Sequence, residues 1–407
     1  MSSINSYSDL AIFSGKPAFE DKLYVGRPNI GDREYFITCV NDILDRRWVT
    51  NNGQYVQEFE RRLEALLGVR HCIAVCNATI GLEIAIRALG MSGEVIVPSF
   101  TFIATAHALQ WQQISPVFCD IDPTTHCIDP NRIEELISPA TTGIIGVHTW
   151  GRPCDIDALT AIAKRRGLKL LFDAAHAFGC SYNGTMTGNF GDAEVFSFHG
   201  TKFFNTFEGG AITTNNDDLA RDIRLMKNYG FQGYDNVVSI GINGKMSEIS
   251  AAMGLSSLGS IGNFIETNRR NYLTYKKYLA GIPGVSIMSY DDVEKTNFQY
   301  IVIEIDETQA RIDRDSLLDI LHAENVIARR YFYPGCHEME PYKTLYPNAK
   351  LRLKETCALV RRVLSLPTGM SVGEDEIAVI SEILRFSIQN GRELMNEIEA
   401  QKKDFIQ

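Results

Sequence analysis

The sequence predicts an α/β protein, with a mostly parallel sheet in a large domain followed by a smaller α+β C-terminal domain. Three observations carry that prediction. From about residue 70, short and nearly continuous apolar runs alternate with segments of helical spacing, the pattern of parallel strands covered on both faces. After about residue 265 the texture changes to an alternating run at 299–305 (QYIVIEI) set between helical stretches. At 407 residues the chain also exceeds what one minimal core needs. The expected parts are an arm over 1–60, a large domain over 61–265, and a small domain over 266–407 that includes a connecting helix.

The elements follow in order. The arm holds GRPNIG (26–31) and RRWVTNNG (46–53). Residues 71–76 (HCIAVC) read as a short buried strand that breaks at Asn77, Ala78 and Thr79, and 80–89 have helical spacing. EVIVP (94–98) is a second strand, followed by TFIATAHALQ. PVFCDI (116–121), GIIGVHT (143–149) and KLLFDA (169–174) continue the series, with a helix over 156–166. Strands at 195–198 and 211–214 are separated only by a loop, which suits neighbours without a crossover helix. Beyond them, 268–280 belong to the connecting helix, 314–324 to another helix, and 374–403 are helical. There is no internal repeat.

Composition narrows the function classes. No apolar run reaches the ~20 residues that cross a bilayer, and residues 1–19 carry no basic region followed by an apolar one, so neither membrane nor secretory signal is expected. Nine cysteines, an odd number without CxxC or CxxH spacing, point to reduced thiols in the cytoplasm and to no metal site. A net charge of −10 disfavours a nucleic-acid backbone as the main partner. No G-x-G-x-x-G follows the first strand of the alternating region, which disfavours a Rossmann oxidoreductase.

Four features carry chemistry. Asp173 ends the strand KLLFDA, where open α/β sheets bind ligands; otherwise it is a helix N-cap or a loop aspartate. Lys202 sits in FSFHGTKFF among apolar and hydroxyl residues, where burial would lower its pKa, although such lysines also snorkel to the surface. Asn77, Ala78 and Thr79 lie where a strand turns into a helix, a natural anion site, and Thr79 and Ser197 each offer a hydroxyl; Thr79 as a plain N-cap is the alternative. Phe102 and His176 are flat side chains, with a core phenylalanine and a turn-capping histidine as their alternatives. A lysine, a carboxylate, an anion cradle and a flat partner are together what pyridoxal 5′-phosphate (PLP) chemistry requires.

The runs FDAAHAFG (172–179), GDAEVFSFHGTKFFNTFEGGAI (191–212) and NGKMSEISAAMGL (243–255) resemble the DegT-type nucleotide-sugar aminotransferases, and the resemblance runs from about residue 25 to 385. It implies the fold-type-I, aspartate-aminotransferase-like architecture, with PLP as cofactor and pyridoxamine phosphate as its aminated form. By position, Lys202 matches the Schiff-base lysine and Asp173 the partner of the pyridine nitrogen. His176 matches a residue, often glutamine, that contacts the ring hydroxyl, and Phe102 one that stacks on the ring. Ser197, Ala78 and Thr79 match phosphate ligands, with Asn77-Ala78-Thr79 where Ser-Gly-Thr is usual. Asn243 matches an asparagine reaching the phosphate from a neighbouring subunit, which implies a homodimer with a shared site. Lys245 stands where arginine is common. His199, Asn205, Lys245 and Arg329 are the substrate candidates, and His148, Trp150 and Tyr331 lie in matching loops.

The implied activity is transamination of a nucleotide-linked keto-6-deoxy sugar with glutamate as donor. The expected case converts dTDP-4-dehydro-6-deoxy-D-glucose to dTDP-4-amino-4,6-dideoxy-D-glucose for surface polysaccharide (O-antigen). The alternative is a 3-aminotransferase acting on a dTDP-3-dehydro-6-deoxy sugar. A dehydratase of the same fold would carry histidine at position 202, and intact Asp173, His176 and Lys202 argue against a non-catalytic scaffold.

Overall fold

The apolar runs become the seven strands of one sheet in a computed structural model that describes residues 6–404. The first five residues of the expected arm, which also open the segment read for a signal, and the last three of the expected small domain lie outside the described residues. The strands are β1 (His71–Val75), β2 (Glu94–Pro98), β3 (Ser115–Cys119), β4 (Thr141–Val147), β5 (Lys169–Asp173), β6 (Ala193–Ser197) and β7 (Gly210–Thr214). Their spatial order is β1-β7-β6-β5-β4-β2-β3. Neighbours are parallel except β7, which runs antiparallel to β1 and β6, pairing Gly210 with both Val75 and Ser197. That is the crossover-free return expected of the two loop-linked strands. Both faces of the sheet are buried, so Ile73, Val95, Ile145, Leu171, Val195 and Ile212 can all be apolar without alternation.

Three of the helices packed on the sheet start on a capping side chain. α1 (Arg33–Arg46) and α2 (Gln54–Leu67) precede the sheet, and α3 (Ala78–Ala88), α4 (Ile103–Gln110), α5 (Ile156–Arg166) and α6 (Asp217–Met226) lie within it. Asn77, Asp155 and Asn216 each accept a backbone N–H at the start of α3, α5 and α6. The long α7 (Glu248–Leu279) leads from the large sheet into the C-terminal half.

The arm is anchored at several points. The buried Glu248 carboxylate accepts the N–H groups of Tyr55 and Val56 at 2.9 and 3.1 Å, an anion set against the first turn of α2. A Cβ on Gly53 would meet that carboxylate at 2.5 Å, so only glycine lets the two helices approach there. Leu23–Tyr24 pairs in parallel with Val326–Ile327 of the C-terminal half.

That half contains a three-stranded antiparallel sheet, β8 (Val285–Ile287), β9 (Ile301–Ile305) and β10 (Val363–Leu366), with α8 (Arg314–Ala323), α9 (Glu374–Gln389) and α10 (Gly391–Asp404). Two expectations change. The single C-terminal helix is two, because Gly391 turns against the loop at Ala310 and Arg311, whose carbonyl oxygens a Cβ would meet at 2.6 and 2.9 Å. The strand expected from 299 begins at Ile301, because the backbone N–H of Gln299 donates to Asn297 Oδ1 instead of to a sheet neighbour. Phe100 and Trp150, from loops of the large sheet, are buried in one cluster with β9, β10 and α9, so the two halves share a core beside the loops that carry the site. No described helix is long and apolar enough to cross a membrane.

Candidate active site

The carboxyl edge of the large sheet gathers the chemistry-bearing residues, as the topology of open α/β sheets dictates. Strand β6 ends at Ser197, and the chain folds back at once. Phe198 N–H donates to Gly209 O and Thr206 N–H to Phe198 O, both at 2.9 Å, while Lys202 N–H donates to His199 O at 2.8 Å. Phe198, Phe203 and Phe204 bury their rings in the core and so anchor the loop that carries Lys202. The GRPNIG segment of the arm closes over this loop. Asn29 Nδ2 donates to Phe203 O at 3.0 Å, and a Cβ on Gly26 would meet Thr201 Cβ at 2.8 Å. Lys202 Nζ donates to Tyr300 Oη at 3.2 Å. Burial brings the amine pKa down to about 8, against opposing pulls from Asp173 and Tyr331. About a tenth of it is then neutral at pH 7, against well under a hundredth for an ordinary lysine.

Asp173 is buried at the end of β5. Its Oδ2 accepts the Thr105 hydroxyl at 2.8 Å and its Oδ1 accepts Ala175 N–H at 3.1 Å. Desolvation raises its pKa, which those two bonds and the nearby Lys202 partly offset. It caps no helix; it is a buried carboxylate short of a cation, as a protonated pyridine nitrogen would be.

His176 is buried, with Nδ1 accepting Trp150 N–H at 3.2 Å. Burial, with help from Lys202, pushes its pKa well down. The neutral ring therefore carries its proton on Nε2, which faces the site as a donor. The ring lies nearly parallel to Trp150 and Phe332, at centroid distances of 6.1 and 5.8 Å.

The turn after β1 is an anion cradle. Asn77 is the N-cap of α3, with Oδ1 accepting Ile80 N–H at 2.9 Å, so Thr79 is not the cap. Ala78 and Thr79 occupy the first two helical positions, whose N–H groups have no intrahelical acceptor. The Thr79 hydroxyl makes no hydrogen bond among the described residues, and Ser197 Oγ accepts only a long one from His199 N–H, at 3.4 Å. Gly210 lets this turn sit low on the sheet, since a Cβ there would meet Ala78 N at 2.9 Å.

Phe102 is not a core residue. It is 57% exposed at the start of α4 and shares a pocket wall with Tyr331 and Phe332. Arg329 is exposed and faces two hollows, one of them a cavity of about 630 Å³ bounded also by Arg27, Thr201 and Tyr331. Its guanidinium lies 5.0 Å from the Tyr331 ring centre.

Several candidates fall elsewhere. Asn205 is buried, donating to Asn29 O at 2.8 Å and accepting Phe207 N–H at 3.3 Å, so both ends of its amide brace the loop and none faces a substrate. His148 is fully buried, with Nδ1 accepting Cys154 N–H and Nε2 donating to the buried Glu194 at 3.2 Å. Trp150 is core, its indole N–H donating to His126 Nδ1 at 3.1 Å. His199 is exposed, pairing with Glu208 and Thr201. Lys245 donates to Asn228 Oδ1 at 2.9 Å and borders a different cavity, of about 610 Å³, with Trp48, Glu60 and Tyr234; Asn243 lies exposed two residues before it. Within one chain neither is brought to Lys202. The sequence reading also missed Thr105 and Tyr300. Thr105 follows Thr101 by one helical turn and bonds to it at 2.9 Å, a weak signal, and Tyr300 opens an ordinary alternating strand.

A half-buried lysine of lowered pKa beside a buried carboxylate, at the carboxyl edge of this sheet, defines an enzyme of the aminotransferase class. The chain belongs to the DegT/DnrJ/EryC1/StrS aminotransferase family, whose pattern matches residues 31–385, and enzymes of this family depend on PLP. The dTDP-4-amino-4,6-dideoxy-D-glucose transaminase of Shigella dysenteriae is 39% identical over 366 residues, 90% of this chain and 99% of that protein. The Escherichia coli transaminase of the same name is 34% identical over 363 residues, 88% and 97% of the two chains. The crystal structure of DesI with its TDP-sugar product superposes with a TM-score of 0.92 at 47% identity, covering 97% of this chain and all of that one.

Proposed function

We propose that the protein is a PLP-dependent 4-aminotransferase that takes its amino group from glutamate and delivers it to dTDP-4-dehydro-6-deoxy-D-glucose. The observation that carries this reading is the half-buried Lys202 amine, its pKa lowered by desolvation, beside the buried Asp173 carboxylate. The names of the Shigella and Escherichia relatives and of the DesI complex support the sugar. When bound, PLP supplies an electron sink that acidifies the C–H bond beside a substrate nitrogen. Asp173 would keep the ring nitrogen protonated, and the Nε2–H of His176 would donate to the ring oxygen. Thr79, Ser197 and the N–H groups of Ala78 and Thr79 would hold the phosphate, with Phe102 against the ring face. A neutral Lys202 amine would take a proton from the substrate carbon bearing the nitrogen and deliver it to the carbon on the other side of that nitrogen. Arg329, at the cavity rim, is an available cation for an anionic substrate group.

The same reading includes a homodimer with a shared site. Trp48 and Tyr234, 59% and 98% exposed, border the cavity of Lys245 near the exposed Asn243, two large exposed aromatic rings that a second copy would cover. It also includes a large PLP-binding domain ending near residue 265 and a smaller one after it, and a product used for surface polysaccharide. Nine free cysteines accord with a cytoplasmic setting.

The test is direct. Protein incubated with PLP should turn yellow, and borohydride should fix the cofactor on Lys202, as read by peptide mass spectrometry. With glutamate and the 4-keto sugar nucleotide, an NMR spectrum of the product should place nitrogen on C4. A protein that takes up no PLP, or a product aminated at C3, refutes the corresponding part.

A further inference from the structure

Resting on that reading, we propose that Tyr300 is a positioning residue for Lys202, its hydroxyl holding the ε-amine in front of Asp173 and His176 whenever that amine is free. The amine donates to Tyr300 Oη at 3.2 Å and has no other hydrogen-bond partner among the described residues. Its distance to the ring centre is 5.8 Å, so the hydroxyl is the nearer contact.

The hydroxyl is held there by bonds on both sides of the chain. Gln299 Oε1 accepts Phe203 N–H at 3.0 Å, tying the residue before Tyr300 to the residue after Lys202. Asn297 Nδ2 donates to His176 O and Phe178 O at 2.8 and 3.0 Å, and Asn297 Oδ1 accepts Gln299 N–H at 3.0 Å. Tyr290 Oη donates to Tyr300 O at 2.8 Å. The Tyr300 ring then packs 4.6 Å from His176 and edge-on to Trp150 at 5.3 Å. A tyrosine from the C-terminal half is thus registered against the lysine loop, the His176 loop and the core at once.

The groups facing the amine are Asp173 from the end of β5, His176 from the loop after it, Tyr300 just before β9, and Tyr331 with Arg329 beside it. His176 is neutral, and burial raises the pKa of the Tyr300 phenol so that it keeps its proton. A neutral phenol can accept from an N–H and also give its proton to the amine lone pair, so it serves both charge states of Lys202. A free lysine side chain has many rotamers, and a proton shuttle must meet the same carbon on each turnover. One fixed partner removes most of that search.

The test uses Tyr300→Phe, which keeps the ring and removes the hydroxyl, on full-length protein stripped of cofactor. Lys202 reactivity is followed against pH by competitive acetylation and peptide mass spectrometry. The wild-type midpoint should lie at about 8, and the variant's should be lower by about half a unit to one unit, because of the two bonds lost the one to the charged ammonium is the stronger. At about pH 9, where the amine is largely neutral in both proteins, borohydride fixation of PLP at Lys202 should slow, and kcat should fall about tenfold with little change in KM for the sugar, a split that a merely structural role would not produce. Gln299→Ala, which unties the phenol without deleting it, should move the midpoint in the same direction by less, and it serves if Tyr300→Phe does not fold. An unchanged midpoint in both variants overturns the inference. A wild-type protein that never accepts PLP on Lys202 instead overturns the functional reading, and the acetylation midpoints still decide the role of Tyr300.

Discussion

Replacing Thr105 with valine removes the hydroxyl that donates to the buried Asp173 carboxylate, together with its contacts to Thr101 Oγ1 at 2.9 Å and Phe102 O at 3.1 Å, and should make stability more pH-dependent. Thr105 Oγ1 donates to Asp173 Oδ2 at 2.8 Å, and both side chains are buried. Valine keeps the shape and deletes the donor. A hydrogen bond to a charged group contributes about 1.5–3 kcal/mol, and one to a neutral group about 1 kcal/mol. The loss should therefore be about 0.5–2 kcal/mol larger when Asp173 is ionised than when it is protonated.

The direction follows from linkage. Desolvation raises the folded-state pKa of Asp173 above its unfolded value, so between the two the native state binds more protons and stability falls as pH rises. Deleting the Thr105 donor raises the folded pKa further and widens that window. Urea unfolding of the cofactor-free protein, wild type against variant, at a pH near the ordinary carboxylate value of about 4 and at about pH 8, measures the difference. A destabilisation equal at both pH values would refute the assignment of this bond to an ionised Asp173.

Three further outcomes are expected. PLP loading onto Lys202 should accelerate about tenfold between pH 7 and pH 9 and level off, as an amine with a pKa of about 8 requires; a rate still rising tenfold per pH unit at pH 9 would mark an ordinary lysine. Gly210→Ala places a Cβ 2.9 Å from Ala78 N and 2.7 Å from Phe196 O, both backbone atoms, so it should cost about 1–3 kcal/mol in stability and weaken PLP more than phosphate-free pyridoxal. Equal weakening of the two ligands in a binding titration would remove the turn from the phosphate site. Lys227→Met leaves the buried Glu60 without the ammonium that donates to it at 3.0 Å, and a denaturation curve should show a loss of about 3 kcal/mol, largely restored by Lys227→Met with Glu60→Leu.

Much of the fold was legible in the sequence because it rests on local pattern. Doubly buried strands read as unbroken apolar runs, and the strand-end positions of Asp173 and of the Asn77–Thr79 turn follow from where those runs stop. The resemblance in 172–179 and 191–212 added specific roles at those same positions. Apart from the strand start moved by the local Gln299–Asn297 bond, the contacts that decided the failures came from far along the chain. Asn205 looked available in KFFNTFEGG, yet Asn29, 176 residues away, occupies its amide. The C-terminal helix looked continuous, yet the loop at Ala310 turns it at Gly391.

The sequence by itself determined the α/β class, the crossover-free return of β7 and the pairing of a strand-end carboxylate with a downstream lysine, because each depends on spacing within short segments. Only the tertiary structure decided how those groups are held: Thr105 on Asp173, Tyr300 on Lys202, and the tautomer of His176 set by the backbone N–H of Trp150. Hydrogen bonds of that kind depend on ångström-scale approach between distant segments, and burial sets the proton affinity of each group. Neither is encoded in the order of residues around it.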